Sequence, residues 1–557
     1  MYTKSPFRGW GRLLCMSTID WIILITALCT IIIYGVYKSR HTKNLDGYFL
    51  GNNTLPWYLV LLSIMGTQAS AITFLSAPGQ AYTDGMRFVQ YYFGLPIAMI
   101  LICIFFVPVF RKLKVYTAYE FLENRFDIKT RTLTSALFLI SRGLSTGISI
   151  YAPSIILSSL LGWNIYYTNL VMGSFLIIYT VAGGAKAVAY TQQLQLIIVI
   201  AGMFLAGYTV VHLLPADMSF TDALKSAGSY GRMNVITTGV KNNHFDWKDT
   251  YNIWSGVIGG LFLALSYFGT DQSQVGRYLT AKSDKESKIG LLMNGLVKVP
   301  MQFLILLVGV LVFTFYQHHK PPVYFDDVQV VAANKTVYKD SLHTLELEYN
   351  YLLAQKDFTT ADTVRTQYKK VIRVANGDKK ANDTNYIFLR FVIENLPKGL
   401  VGLLIAMIFL ASWGSIAAAL NALASCTVVD FHKKFINKNC TEKEDYSISK
   451  WYTFAWGVFS IIVAMFAYNI GNSLIETVNI LGSIFYGVIL GIFLVAFCIK
   501  YIKGNAVFIG AVISQLLVIL VYYLDIVSFL WLNVIGALLV IVLSMIVQAL
   551  QHRAITD

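Results

Sequence analysis

Residues 56–82 read PWYLVLLSIMGTQASAITFLSAPGQAY. The stretch is long and apolar enough to cross a bilayer, whose hydrocarbon core takes about 20 helical residues. It is poorly built as an uninterrupted helix, because Gly66, Thr67, Gln68 and Ser70 cluster at its middle. Small and polar residues weaken the helical ladder and leave backbone carbonyls free. In lipid such carbonyls are tolerated only where they face protein or a water-filled cavity. Two readings fit: a helix that packs closely through its small residues, and a broken helix whose freed carbonyls hold a cation at mid-membrane depth. The rest of the chain favours the second.

The 557 residues are 56% hydrophobic and 13% charged, with a mean hydropathy of +0.59. Repeated apolar runs of bilayer length place the chain among polytopic α-helical membrane proteins. The net charge of +14 raises nucleic acid as a partner, but its placement fits positively charged inner loops instead, so no nucleic acid is expected. Cys15, Cys29, Cys103, Cys426, Cys440 and Cys498 lie in or beside apolar runs or on inner loops and form no disulfide framework. Residues 1–18 read as an irregular lead-in without a cleavable signal peptide, and Met16 offers an alternative start.

Thirteen spans are predicted: a leading span at 19–38, then spans one to twelve at 56–80, 88–110, 132–161, 165–182, 187–212, 251–274, 287–316, 392–428, 449–469, 474–499, 504–525 and 528–550. Lys38, Arg40 and Lys43 follow the leading span, and Arg111, Lys112 and Lys114 follow span two. Arg277, Lys282, Lys285 and Lys288 follow span six, Lys433, Lys434 and Lys438 span eight, and Lys500 and Lys503 span ten. These loops alternate, so all fall on one side, the cytoplasmic one. The N-terminus is then outside and the tail 551–557 inside. Residues 213–250 form an outer loop. Residues 317–391 form an outer polar insert with a helical portion, LHTLELEYNYLLAQ, and read as a surface cap.

Span six is interrupted like span one, with Gly259, Gly260, Gly269 and Thr270 in its sequence. The two lie five spans apart and so run in opposite directions. A pair of interrupted helices in corresponding positions points to an inverted repeat with a binding site between its halves. The first repeat would be 56–212 and the second 251–499, leaving the leading span and the helices of 504–550 peripheral.

Several stretches carry a more specific signal: YTAYEFLENRF (116–126), GISIYAPSIIL (147–157), GGAKAVAYTQQLQ (183–195), TDQSQVGRYLTAK (270–282) and SWGSIAAALNALASCTVVDF (412–431). In order and content they resemble the sodium/solute symporter family, from about residue 19 to about 500. The IYAP and YEFLE pieces are most similar to the branch of sodium/iodide, multivitamin and monocarboxylate symporters. The resemblance implies an all-α membrane protein with a five-plus-five inverted-repeat (leucine-transporter-like) fold.

It also implies a Na+ site between the break of span one and the middle of span eight. Matching motifs places its carbonyls on Gly66, Ala69 and Ala411, and its hydroxyl positions on Gly414 and Ser415. Gly414 has no hydroxyl, so three carbonyls and one hydroxyl remain, an all-oxygen set suited to a hard cation. An interhelical hydrogen bond is the alternative role for Ser415. Members that bind a second Na+ use hydroxyls and an Asp where this chain has Ala417, Ala418 and Gln192, so at most one Na+ per cycle is expected.

The solute would lie beside the span-one break. Thr67, Gln68 and Thr73 are the span-one candidates, and Tyr267 matches the aromatic that closes the site from inside in sugar-transporting members. Tyr92 stands where those members carry a sugar-binding Glu, which counts against a standard hexose. Arg142 lies about 15 Å into span three, where a charge costs about 2.5–3.5 kcal/mol and needs a cavity and a partner. Lys298 in span seven and Glu476 in span ten match solute-facing positions. Two readings stand: an internal Lys298–Glu476 or Arg142–Glu476 ion pair, or a cationic pocket for a solute carboxylate, for which Arg142 is the better ligand. Asp271 would belong to a cytoplasmic gate.

The chain is therefore expected to be a plasma-membrane symporter importing a small, anionic organic solute with one Na+ by alternating access. No obligate protein partner is expected. H+-coupled or uncoupled transport of a neutral sugar or polyol is the alternative in mechanism, and a transporter-like sensor the alternative in class. The eight histidines form no ligand-spaced pair and no nucleophile–base pair is legible, which argues against an enzyme.

Overall fold

The structure is a computed structural model that describes residues 16–39, 54–377, 382–438, 441–467 and 473–556. The loop carrying Arg40 and Lys43, most of the lead-in, Cys15, Cys440 and Asp557 lie outside the described residues. Among those described, nine helices are long and apolar enough to cross a membrane, and four shorter apolar helices accompany them. Cys29, Cys103, Cys426 and Cys498 are free thiols.

Span one consists of two helices, Trp57–Gln68 and Ala71–Asp84. Between them Ala69 (φ −80°, ψ 84°) and Ser70 (φ −92°, ψ 171°) leave the helical region. The Ser70 N–H turns back to Gln68 O at 3.1 Å, so Gly66 O loses the donor an unbroken helix would supply. Span six breaks in the same way. Gly260–Gly269 gives way at Thr270 and Asp271 to Gln272–Leu279. The Asp271 side chain caps the second piece, accepting from Ser273 N at 2.8 Å. Leu55, entering span one, bridges Thr280 and Lys282, leaving span six, so the two broken helices run in opposite directions.

Span three is Ile128–Leu161 and span seven Asp284–His318. Span seven runs parallel to span one. A Cβ on Gly290 would meet Val60 at 2.9 Å, and one on Gly309 would meet Pro78 O at 2.2 Å. Lys298, between these glycines, is thereby level with the span-one break. The expected spans four and five form one continuously helical stretch, Ile165–His212. Yet the Tyr179 hydroxyl lies 2.5 Å from Thr191 Oγ1, residues that about 18 Å of axial rise would separate on a straight helix. The chain therefore doubles back between them.

Span eight begins later than expected. Thr384–Asn395 is a separate helix, and the long buried helix starts at Leu400 and runs to Cys426. Pro397 denies the junction a backbone donor, and Gly399 takes φ 91°, a conformation open to glycine. The Asp20 carboxylate of the leading span, Thr18–Ser39, accepts from Gly399 N (2.6 Å) and Gly402 N (2.9 Å). It caps this start. Spans nine to twelve follow as Glu442–Phe466, Leu474–Cys498, Gly504–Tyr523 and Phe529–Thr556.

The polar insert is an ordered subdomain. Helices Asp327–Ala333, Lys339–Ala354 and Phe358–Ala375 enclose a small core of Val323, Leu342, Tyr349, Val364, Tyr368 and Ile372. At its base Asp383 pairs with Arg365 (2.9 Å) and Lys369 (2.6 Å). Burial raises a carboxyl, but these two cations outweigh it and hold Asp383 at about 2. Asp326 has no such cationic partner among the described residues, and burial pushes it up to about 7.

Candidate functional site

The span-one break faces a cavity of about 110 Å³ in the helix bundle, which span six borders through Leu263 and Tyr267 just before its own break. Its wall includes Thr67, Gln68, Ser70 and Thr73 from span one, and Tyr91 and Tyr92 from the 3-10 segment Gly85–Tyr92 that leads into span two. Arg142, Thr146 and Ser149 of span three, Tyr267 of span six, Ser415 of span eight and Asn479 of span ten complete it. Thr67, Gln68, Thr73, Tyr92, Arg142 and Tyr267 thus meet as the sequence predicts. Gln68 Oε1 is buried without a hydrogen-bond partner among the described residues, which leaves an acceptor for an incoming donor.

On the side of the span-six break this cavity is closed by a charged and aromatic cluster. Arg142 Nη2 pairs with Asp271 Oδ2 at 3.2 Å and contacts Ser273 Oγ. Asp271 also accepts from the Tyr486 hydroxyl (2.8 Å) and from Ser273 Oγ (2.6 Å). The Arg142 guanidinium lies 5.4 Å from the Tyr267 ring centre, and the Tyr267 hydroxyl accepts from Gln274 Nε2 at 2.7 Å. Arg142 Nε has no hydrogen-bond partner among the described residues. Asp271, expected as part of a gate, is here the counter-charge of Arg142.

Two expected solute residues lie elsewhere. Lys298 is fully buried behind Tyr92, its Nζ 5.7 Å from that ring and without a hydrogen-bond partner among the described residues. Glu476 sits in the first turn of span ten, its backbone N–H bonded to Ser473 Oγ at 3.4 Å, and does not border the cavity. Neither expected ion pair with Glu476 forms. Ile475, Val478, Tyr486 and Asn479 of span ten border the cavity, and of these Asn479 accepts at Oδ1 from the Tyr91 hydroxyl at 3.1 Å. It lies three residues on, the spacing that shares a helix face, so extending Glu476 by one turn would have found it.

Beside the cavity, span five brings two glutamines between the expected cation-binding segments. Gln192 Nε2 donates to Thr67 Oγ1 (3.1 Å) and Gly414 O (3.0 Å), while its Oε1 accepts from Ser63 Oγ (2.9 Å). A Cβ on Gly66 would stand 2.9 Å from Gln192 Cβ, and one on Gly414 2.4 Å from Gln195 Oε1. The room a hydroxyl-bearing side chain would need at 414 is taken by Gln195, which sequence reasoning missed. Ser415 Oγ donates to Ser412 O of its own helix at 3.0 Å, so the alternative interhelical bond does not form. Ser412 points to Ser149 O of span three at 3.4 Å.

A polytopic helical bundle with two opposed broken helices around a small polar cavity is the architecture of a secondary carrier. Comparison with known proteins makes the class specific. The sodium:solute symporter family model matches residues 48–339 and 369–514, and the chain belongs to that family. It is similar to a sodium/sialic acid symporter of Proteus mirabilis, at 26% identity over 544 residues, covering 96% of this chain and 95% of that one. It is also similar to the human sodium/iodide cotransporter, at 29% identity over 279 residues, covering 50% and 42%. Among solved structures, a Na+-coupled sialic acid symporter in a substrate-bound outward-open state superposes with a TM-score of 0.77 at 23% identity, covering 96% of this chain and 98% of that one. The chain is accordingly a multi-pass membrane carrier, not an enzyme.

Proposed function

We propose that this chain imports a small anionic solute, a carboxylate or acidic sugar, together with one Na+ across the plasma membrane. The observation that carries the reading is Arg142 at the cavity wall, whose buried Nε has no hydrogen-bond partner among the described residues. Arg142 is paired with Asp271, while Lys298 stands behind Tyr92 away from the cavity lining. A solute carboxylate accepts from the free Arg142 N–H, and the Proteus mirabilis relative is a sodium/sialic acid symporter. Na+ is held by Gly66, Ala69, Ala411 and Ser415, with Gly414 contributing backbone only. Asp271 and Tyr267 form the inner gate. Thirteen crossings, an outer N-terminus, an inner C-terminus and repeats at 56–212 and 251–499 complete the arrangement, supported by the opposed breaks.

Uptake of labelled sialic acid, glucuronate, lactate and glucose into proteoliposomes, with and without a Na+ gradient, tests this reading. Uptake of an acid that requires Na+ is expected. Transport restricted to glucose overturns the anionic solute. One observation favours a second reading. The Gln192 carboxamide itself bridges Thr67 and Gly414 O, a direct side-chain link between spans one and eight that needs no cation to form. Acid uptake indifferent to Na+ would establish that reading instead.

A further inference from the structure

A groove of about 660 Å³ runs along the bundle between spans five and seven. Its walls come from residues 199–211 of the stretch Ile165–His212 and residues 296–311 of Asp284–His318. Among the described residues that line it, Tyr208 alone carries a side-chain oxygen or nitrogen. The rim is open: Phe204, Leu296 and Leu304 are exposed, on helices long and apolar enough to cross the bilayer. The floor is closed by Phe74, 1% exposed, on the helix Ala71–Asp84 that follows the span-one break. Thr73, the residue before it, lines the solute cavity, so a single turn of span one stands between the groove and the solute. Gly207 helps to keep the space open, since it carries no side chain there, and a Cβ would only touch Val308 at 3.4 Å. Pro300, also in the wall, lies inside the span-seven helix and interrupts its hydrogen bonding beside the gap.

Chemistry and dimensions fix the kind of occupant. An anionic solute finds no donor on these walls beyond the Tyr208 hydroxyl, and apolar cavities exclude water. Left empty, the groove would forfeit dispersion contacts along every wall. Residues 199–211 rise about 18 Å, close to the ~15 Å depth of one leaflet, half of a bilayer's hydrocarbon core. A partner helix of that length and 10–12 Å diameter would take about 1,400 Å³ or more, about twice the space present. An alkyl chain is thin enough to enter, and it continues the lipid that covers the exposed rim. Met203 and Met301 offer flexible thioethers to it, side chains that adapt to irregular shapes. Tyr208 and Phe220 border the end nearest the loop 213–250, with Phe220 opening the surface helix Phe220–Ser229. Tyrosine is enriched at the level of the headgroups, so this is the end from which a lipid chain would enter.

We propose that this groove binds one acyl chain of a membrane phospholipid, which packs on Phe74 and braces the helix after the span-one break. The test uses the full-length protein in lipid nanodiscs that contain phosphatidylethanolamine with a diazirine midway along one acyl chain. After photolysis, mass spectrometry maps the adducts. Residues 199–211 and 296–311 should carry several-fold more label than the lipid-facing residues of span eleven. Gly207→Leu and Leu304→Trp, which add volume to the groove, should each bring its label down to the span-eleven level. Leu516→Trp, at an exposed position of span eleven, should leave the groove label unchanged. Wild-type label in the groove no greater than on span eleven overturns the site, and this comparison decides the question even if a filled variant fails to fold. Bracing has its own readout, the thermal midpoint of the detergent-purified protein. Added phosphatidylethanolamine should raise it in wild type and in Leu516→Trp, and raise it less in Gly207→Leu and Leu304→Trp. An equal rise in all four proteins overturns the bracing of span one.

Discussion

Arg142 of span three, its side chain 11% exposed, and Asp271 in the break of span six, its side chain fully buried, form an ion pair at 3.2 Å beside the central cavity. Removing one partner of such a pair leaves an uncompensated charge and typically costs about 3–5 kcal/mol. Asp271→Asn should therefore lower solute uptake at least tenfold, and the double variant with Arg142→Gln should be less impaired than Asp271→Asn alone. Proteoliposome uptake by the four proteins of the cycle checks this, and strictly additive losses would show that the pair does not act as a unit.

Ser415 borders the cavity and carries the one hydroxyl of the proposed cation set. Ser415→Ala should raise the Na+ concentration for half-maximal uptake several-fold without abolishing transport, since three carbonyls remain. The wild-type Na+ dependence should have a Hill coefficient near one. A clearly sigmoidal curve would require a second ion.

Tyr267 lies beside Arg142 in the cavity wall and is anchored by Gln274. Tyr267→Ala should loosen the inner closure and raise leak of preloaded solute from vesicles, whereas Tyr267→Phe, which keeps the ring, should leak less. Equal leak in both variants would assign the role to the hydroxyl alone.

Gly79 lies where span one's outer half touches the helix Thr384–Asn395, and a Cβ there would stand 2.0 Å from Thr384 O. Backbone cannot yield as a flexible side chain does, so Gly79→Ala should destabilise the protein by about 1–3 kcal/mol. A lowered thermal midpoint of the purified protein would register it, and an unchanged midpoint would show that the contact relaxes freely.

Asp326 titrates at about 7 because it is buried, against about 3.9 when unfolded. Below pH 4 it is protonated in both states. As pH rises from about 4 to about 7 the unfolded chain ionises while the folded one resists, so the insert loses stability across that window. Asp326→Asn should remove this dependence. Hydrogen exchange of the insert's amides at several pH values, corrected for intrinsic rates, measures it.

The break of span one was legible because MGTQAS places weak helix formers at the depth where a helix can least spare its hydrogen bonds. The depth of Arg142 was legible for a similar reason, since apolar runs count residues along the axis. Its partner was not, because which acid faces an arginine depends on the rotation and register of another helix. Glu476 and Asn479 show the same limit at one turn's distance. The start of span eight was misplaced because residues 392–396 are themselves largely apolar, while Pro397 and Gly399 break the helix. The order in the insert was visible only as one amphipathic stretch, because its core is assembled from three helices and an ion cluster at Asp383.

The seam between the insert and span one has a practical consequence. Thr384 lies against Gly79, and Arg365 lies 5.7 Å from the Tyr82 ring. The outer half of a helix buried in the bilayer is thereby mechanically joined to a water-facing subdomain. A reporter attached at Val337, which is 91% exposed, would ride on that subdomain. It would give an external handle for following the outer gate of a single carrier without touching the transport path.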